Sequence, residues 1–513
     1  MRVLDEHCVR CHNPDGLGLG DFTDPQQVAD FAELIVASVE SDRMPPPVSA
    51  PTCRDYVGSA SLVLDEGERA TLREWTEAGG QAGDALEEGG VSTELSEPDL
   101  ELLIPAPYTP TYPDPDDAGN EYRCFVLDPG HDEDFFVTAL APIVDQQSML
   151  HHAVLSTASR DTLAPDQLEP SGFDCMGGMG IDPTGGTLVA WAPGMLPVEL
   201  PDEHGIRVPS DRVLILQIHY FASPGSEGLA DRSGYAFRTA STVRTEVQMS
   251  QLGVTDFEIP AGAESFTAGG EYSPRTEVEV LGIFPHMHRL GTAFDASVAH
   301  ADDTEDCLVS GEYSFDNQLT YQFVEPVRVQ PDDTLSFSCT WNNSTSNPEL
   351  DTAPVATTFG ERTDEEMCFF FMLTKQIGEE PDGPDVDALD PSALEPGVVH
   401  IQVTTEVGGM LVSDDCVGTL EVSTDDPDVL ATGACAFEGM FTMLLGTDPQ
   451  PVTVLGDESG GDVLLQVQES VLEGRWNGST DGAAVLGSWV AEDTLEIGAA
   501  VMVQHAGAFH VER

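Results

Sequence analysis

Lysine is almost absent from this chain. Lys375 stands alone, and all basic residues together number 20 against 91 aspartates and glutamates in 513 residues. The formal net charge of −71 argues against nucleic acid and anionic membrane as partners, because both are bound through Lys and Arg and would repel this surface. The acids are spread along the whole length rather than gathered in a tail, so they read as a strongly hydrated surface, a composition that fits salty surroundings. Long apolar runs are missing too. None reaches the roughly 20 residues that cross a bilayer as a helix, and no membrane span is expected.

A chain of this length should fold as three or four domains. Residues 1–86 read as a small all-α unit. Pro25 to Glu40 has apolar residues at helical spacing (Phe31, Leu34, Ile35), and a second helix starts at Asp65 with Glu68 three residues on, the pattern of a capping box. An acidic stretch with Gly and Pro, residues 87–115, reads as a linker long enough to let that unit swing. Short apolar or alternating runs then dominate and predict two all-β sandwich domains of jelly-roll-like type, 116–240 and 241–378. A second linker, 379–395, precedes a C-terminal β domain, 396–513, in which no chemical motif is visible and whose role is unknown.

Two constellations carry chemistry. Cys8-Val9-Arg10-Cys11-His12 is the C-x-x-C-H pattern of c-type haem attachment, with Cys8 and Cys11 as thioether anchors and His12 as proximal ligand. Arg43-Met44-Pro45-Pro46-Pro47 follows. The whole stretch resembles the small cytochrome c domains fused to bacterial secreted enzymes, and that resemblance makes Met44 the sixth ligand. His7 beside the motif reads as a surface residue. Covalent haem and paired cysteines suit an oxidising compartment, so the chain is expected to be exported: periplasmic, cell-surface or secreted. No signal peptide precedes Cys8, and the sequence is expected to be a trimmed mature form or to have a misplaced start.

The second constellation is His151-His152, His219, His286-x-His288 and Met367, five imidazoles and a thioether, enough for two three-ligand metal sites. Imidazole suits copper and a thioether favours its reduced form. Each motif alone is weak, and an ideal strand would point His151 and His152 to opposite faces unless a bulge re-aims one ring. The order HH, QIHY, PHMH, EEMC resembles the copper type II ascorbate-dependent monooxygenases, the family of peptidylglycine alpha-hydroxylating and dopamine beta-monooxygenases, over roughly 116–378. The resemblance implies two copper ions. His151, His152 and His219 would hold an electron-transfer copper, and His286, His288 and Met367 the copper where O2 binds, which makes the latter three the catalytic set. Gln217 and Tyr122 match residues beside the electron-transfer copper and are expected to orient it. The same resemblance pairs Cys124 with Cys175 and Cys339 with Cys368. Cys416 and Cys435 are expected to pair within the tail domain, while Cys53 and Cys307 remain unassigned.

The resemblance also has a limit. Peptide-amidating members hold a substrate carboxylate with an Arg two residues before His-x-His and with an Asn and a Tyr after the ligand Met. Phe284, Phe369 and Phe371 stand at those positions here. An apolar ring cannot neutralise a carboxylate, so the expected substrate is a small apolar or aromatic molecule. The expected function is C–H hydroxylation with O2, driven by an external electron donor (ascorbate-like or a redox protein) and relayed by the fused haem c. The alternative is a non-catalytic haem/copper electron-transfer or copper-binding module.

Overall fold

The computed structural model describes residues 2–13, 18–82, 93–113, 119–175, 186–193, 195–223, 225–274, 276–315, 317–350, 353–360, 362–377, 394–407, 410–422, 429–437, 449–455, 460–467, 470–481, 484–496 and 500–512. They fall into two compact units, one of the described residues up to 175 and from 187 to 377, and one of Gly186 with the described residues from 394 on.

The first unit begins with helices. The stretch expected as one helix is two, Pro25–Asp30 and Ala32–Glu40, because Phe31 between them leaves helical geometry (φ −95°, ψ 3°). Asp65 caps Glu66–Glu77 through the reciprocal box: its carboxylate accepts from Glu68 N–H at 2.8 Å, and the Glu68 carboxylate accepts from Asp65 N–H at 2.9 Å. Val3, Leu4, Val28, Ile35, Val39 and Leu72 bury a small core between the helices. His7, read as a surface residue, is buried, with Nδ1 on the Ser61 carbonyl at 3.2 Å and Nε2 on Glu68 at 3.1 Å.

The stretch read as a linker at 87–115 is not one throughout. Leu100–Leu103 forms an edge strand paired with Gly234–Ala240, and Leu95 and Ile104 are buried. A four-residue strand is too short to show a period against so many acids. Nor does the helical unit swing on a single tether. Residues 48–57 dock on the second sandwich: Ala50 N–H donates to the Ser310 carbonyl at 2.7 Å, Val57 N–H to the Gln322 carbonyl at 2.8 Å, and Tyr56 is buried in the main core. The unassigned Cys53 and Cys307 form a disulfide that staples this segment down.

The first sandwich pairs Phe135–Ile143, Gly234–Ala240, His204–Val208 and shorter strands in one sheet, and Asn120–Leu127, Arg212–Phe221, Leu150–Ser159, Thr187–Trp191 and Phe173–Asp174 in the other. The second stacks Gln248–Gly253, Phe369–Ile377, Glu277–His286 and Tyr321–Val329 against Ala263–Tyr272, Thr334–Asn343, Gly291–Ala299 and Glu305–Glu312. One continuous apolar core runs through both. Cys124–Cys175 and Cys339–Cys368 are disulfides.

The second unit is a closed antiparallel barrel of eight strands in chain order from Val398–Val407 to Ala500–Glu512. Val399, Ile401 and Val403 alternate inward with Val503, Phe509 and Val511, so the interior is packed with side chains. Cys416–Cys435 is a disulfide inside it.

Beside the Cys53–Cys307 staple, His300 donates to Asp333 at 2.9 Å and to Asp306 at 3.1 Å, and Asp306 also accepts from Arg54 at 2.8 Å. Burial opposes the imidazolium, but the two carboxylates outweigh it and raise His300 above its ordinary value. A group raised in the folded state stabilises fully below its unfolded value and loses that contribution as pH rises through the folded one. Thermal stability is therefore expected to fall as pH climbs through and above the ordinary imidazole range, by a small amount set by this one group. His300→Gln should flatten the slope in a melting series; an unchanged slope would remove His300 as its source.

Candidate metal centre

Two neighbouring antiparallel strands, Leu150–Ser159 and Arg212–Phe221, set His152 opposite His219. The register slips between Leu150 and His152, so a bulge at His151 breaks the alternation that would turn its ring away. The three rings converge. Nδ1 of His152 lies 3.2 Å from Nδ1 of His151 and 3.3 Å from Nδ1 of His219. Metal–imidazole bonds of about 2.0 Å put nitrogens that share one tetrahedral ion about 3.3 Å apart, so the spacing fits a single metal. Asn120 Oδ1 accepts from His219 Nε2 at 2.8 Å, which leaves the lone pair on Nδ1. The Tyr122 ring stacks on His219 at 4.2 Å, and its hydroxyl meets Thr363 of the second sandwich at 3.1 Å. Gln217 donates to the Cys175 carbonyl at 3.1 Å, so it braces the disulfide region, and Asn120 is the group that orients the imidazole.

His286 ends the strand Glu277–His286, and His288 follows with ring centroids 5.3 Å apart. His286 Nδ1 donates to Gln318 Oε1 at 2.6 Å, which keeps its Nε2 for a metal, and His288 Nδ1 donates to the Glu365 carbonyl at 3.1 Å, with the Arg362 carbonyl also beside the His288 ring. Phe369 pairs with His286 across the sheet, which brings the turn holding Met367 alongside His288. The buried Glu366 carboxylate joins the backbones of the two expected ligands, His288 and Met367. It accepts from the N–H of His288 at 3.0 Å, Leu290 at 2.6 Å and Met367 at 3.2 Å, and from Trp341 Nε1 at 2.8 Å. Burial pushes Glu366 up to about 7 although these donors pull the other way.

The two expected ligand sets adjoin across the sandwich interface: the His152 and His286 ring centroids are 6.0 Å apart. Burial, then repulsion from neighbouring rings, holds His152 and His219 well below the usual imidazole range. Burial takes His286 to about 4 and His288 to about 3. These four rings are neutral at physiological pH and can bind a cation without first losing a proton. Three imidazoles, and two imidazoles with a thioether, are donor sets that fit copper. Phe284 stacks on His286 at 6.1 Å, Phe371 lies 5.9 Å from Phe284, and Phe369 is 6.1 Å from Phe371. Phe284 and Phe369 are packed in the core; Phe371 keeps partial exposure.

In the helical unit, Cys8 and Cys11 are free thiols while the other eight cysteines are bridged. Burial pushes Cys8 up to about 12. His12 Nδ1 donates to the Leu19 carbonyl at 3.0 Å, leaving Nε2 for iron, and its ring stacks on Phe22 at 4.3 Å. Free thiols beside an imidazole held by one nitrogen fit covalent haem. Met44 lies just past the helix Ala32–Glu40, 40% exposed, with its N–H on the Ser38 carbonyl, so it is not a core residue.

Asn120, Gln318 and Glu366 escaped the sequence reading. Only Glu366 left a signal, as an acid next to the expected ligand Met367.

Residues 251–375 match the family model for the copper type II ascorbate-dependent monooxygenase C-terminal domain. Dopamine beta-hydroxylase of Canis lupus familiaris is 28% identical over 197 residues, which cover 35% of this chain and 30% of that protein. The chain thus spans less than a third of the curated relative it matches. His286, His288 and Met367 fall inside the matched segment, and the two comparisons together support the copper type II monooxygenase family, with copper as its metal, for this part of the chain.

Proposed function

We propose that this chain is an exported copper monooxygenase that places one oxygen atom from O2 into a C–H bond of a small apolar or aromatic molecule. Its electrons come from an external donor through a c-type haem held by Cys8, Cys11, His12 and Met44. The observation that carries the reading is the convergence of His151, His152 and His219, where His152 Nδ1 lies 3.2 Å and 3.3 Å from the Nδ1 atoms of the other two, with His286 of the second sandwich 6.0 Å from His152 between ring centroids; His286, His288 and Met367 would form the second set. Copper bound there would supply one-electron redox chemistry and O2 activation. The protein's part is to fix the donors. Asn120 and Gln318 choose which nitrogen faces the metal, Glu366 ties His288 to Met367, and the bulge at His151 completes the first set. Phe371, partly exposed against the packed Phe284, offers an apolar face near His286, and no basic residue stands at those positions. The four disulfides fit an exported protein.

The test has two parts. Metal analysis of matured protein should find two coppers and one haem that stays attached on denaturation; zinc alone, or one copper at saturation, would remove the two-site reading. Candidate substrates, with ascorbate as reductant, are then screened for O2 uptake and a product heavier by one oxygen atom. Apolar and aromatic compounds should be turned over and glycine-extended peptides should not. Efficient turnover of such a peptide would refute the argument from Phe284. No substrate-dependent uptake with copper loaded would leave a haem/copper electron-transfer module.

A further inference from the structure

One short turn joins parts of the molecule that the sequence keeps far apart. Residues 313–320 connect the strands Glu305–Glu312 and Tyr321–Val329. Asn317 Nδ2 donates to the Pro47 carbonyl at 3.0 Å. Gln318 Oε1 accepts from His286 Nδ1 at 2.6 Å. Phe315 stacks on His151 at 4.5 Å with 29° between the ring planes. Asn317 and Gln318 are 7% and 2% exposed. Gln318 Nε2 also donates to the Phe315 carbonyl at 3.0 Å, which fixes the orientation of its amide. Amides are buried at a cost unless bonded, so these contacts hold Asn317 and Gln318 in one arrangement.

Pro47 closes the Met44-Pro45-Pro46-Pro47 run after the haem motif. The residues following it are clamped on the second sandwich. Ser49 N–H donates to Tyr321 Oη at 3.0 Å, the Ser49 hydroxyl meets Tyr56 Oη at 2.7 Å, and Cys53 is bonded to Cys307. Pro47 is therefore held at Asn317 rather than meeting it by chance encounter of a swinging domain.

We propose that Pro47–Asn317–Gln318–His286 is the route by which an electron leaves the haem domain, so that it enters the copper ligands at His286 and not at the His151/His152/His219 set. This rests on the reading that the chain holds both haem and copper. The route is covalent except for two hydrogen bonds, Asn317 to Pro47 and His286 to Gln318. The competing contact, Phe315 on His151, is a ring-to-ring gap with no bond across it. One electron passes, ferrous haem becoming ferric and cupric copper becoming cuprous. No bond breaks, and the proton on His286 Nδ1 stays in its hydrogen bond to Gln318. An external one-electron reductant restores the haem.

The test uses the full chain loaded with haem and copper, without O2 or substrate. A photoreductant pulse makes ferrous haem, and the decay of its visible band is followed. Asn317→Ala and Gln318→Leu should each slow that decay by about tenfold or more, the scale of losses when groups around a metal ligand are removed. Gln318→Glu keeps the acceptor for His286 but loses the donor to the Phe315 carbonyl, so it should recover only part of the rate. Phe315→Leu should leave it unchanged. In Asn317→Ala the copper content, the cupric EPR spectrum and the rate of direct reduction by ascorbate should match the parent, which a merely unfolded turn would not allow. If that variant folds poorly, Asn317→Asp, which loses the donor but keeps the volume, replaces it. Parent-like decay in the Asn317 variants, or slowing by Phe315→Leu alone, overturns the route. Absence of copper-dependent decay in the parent protein would instead sink the haem/copper reading beneath it.

Discussion

Met367→Ala is expected to keep the copper at His151, His152 and His219 and to lower O2-dependent turnover by at least about a hundredfold, the upper end of what even groups around the ligands contribute. The thioether is the only soft donor in either set, and softness is what favours cuprous copper. His286 and His288 remain fixed by Gln318, Glu365 and Glu366, so a metal at the damaged set is weakened in its reduced form rather than expelled from a collapsed site. His219→Ala does the converse: it removes one of three converging Nδ1 donors and should drop copper binding towards one equivalent, with the thioether site intact. X-ray absorption on the reduced protein separates the two. The copper–sulfur shell should vanish in Met367→Ala and persist in His219→Ala. A persistent sulfur shell with undiminished turnover in Met367→Ala would remove Met367 from the ligand set.

The all-β character of residues 116–378 was legible because short apolar runs such as Val213–Tyr220, bounded by turn-forming residues and too short for a typical helix, read as strands, and the Asp65/Glu68 box was legible because capping is local. The linker at 87–115 misled for the opposite reason. Its composition is acidic, and Leu100–Leu103 becomes a strand only by pairing with Gly234–Ala240, a partner more than a hundred residues away. The Cys53–Cys307 bridge was illegible because it spans 254 residues and depends on where the segment 48–57 docks. At the metal centre, residue types and their order could nominate His151, His152 and His219, but not the bulge that decides whether two adjacent histidines share a face. Asn120 and Gln318 are ordinary polar residues in sequence. Their importance comes from a single hydrogen bond each, to a ring nitrogen 99 and 32 residues away.

Glu366→Ala should be the most damaging single change outside the ligands themselves. Glu366 is fully buried, and its carboxylate is the acceptor for four N–H groups, those of His288, Leu290, Met367 and the Trp341 indole. Alanine leaves these donors facing a dry void. Each unsatisfied buried donor costs about 1–3 kcal/mol, so a loss of about 4 kcal/mol or more is expected from the second sandwich. The damage is also local to function, because the same carboxylate ties the backbone of His288 to that of Met367. Glu366→Gln keeps the volume but points an NH2 group at donors that need an acceptor, so it should be intermediate. Trp341→Phe removes one donor and keeps a ring against Phe257, which stacks on Trp341 at 4.9 Å; it should cost about 1 kcal/mol and leave copper stoichiometry at two. Melting curves together with copper analysis and the copper–sulfur signal of the reduced protein read out all three variants. Stability and the sulfur signal should fall together in the order Trp341→Phe, Glu366→Gln, Glu366→Ala. An alanine variant that melts like the parent and keeps its copper–sulfur contact would show that the ligand turn is held by the Cys339–Cys368 bridge and the sheet alone.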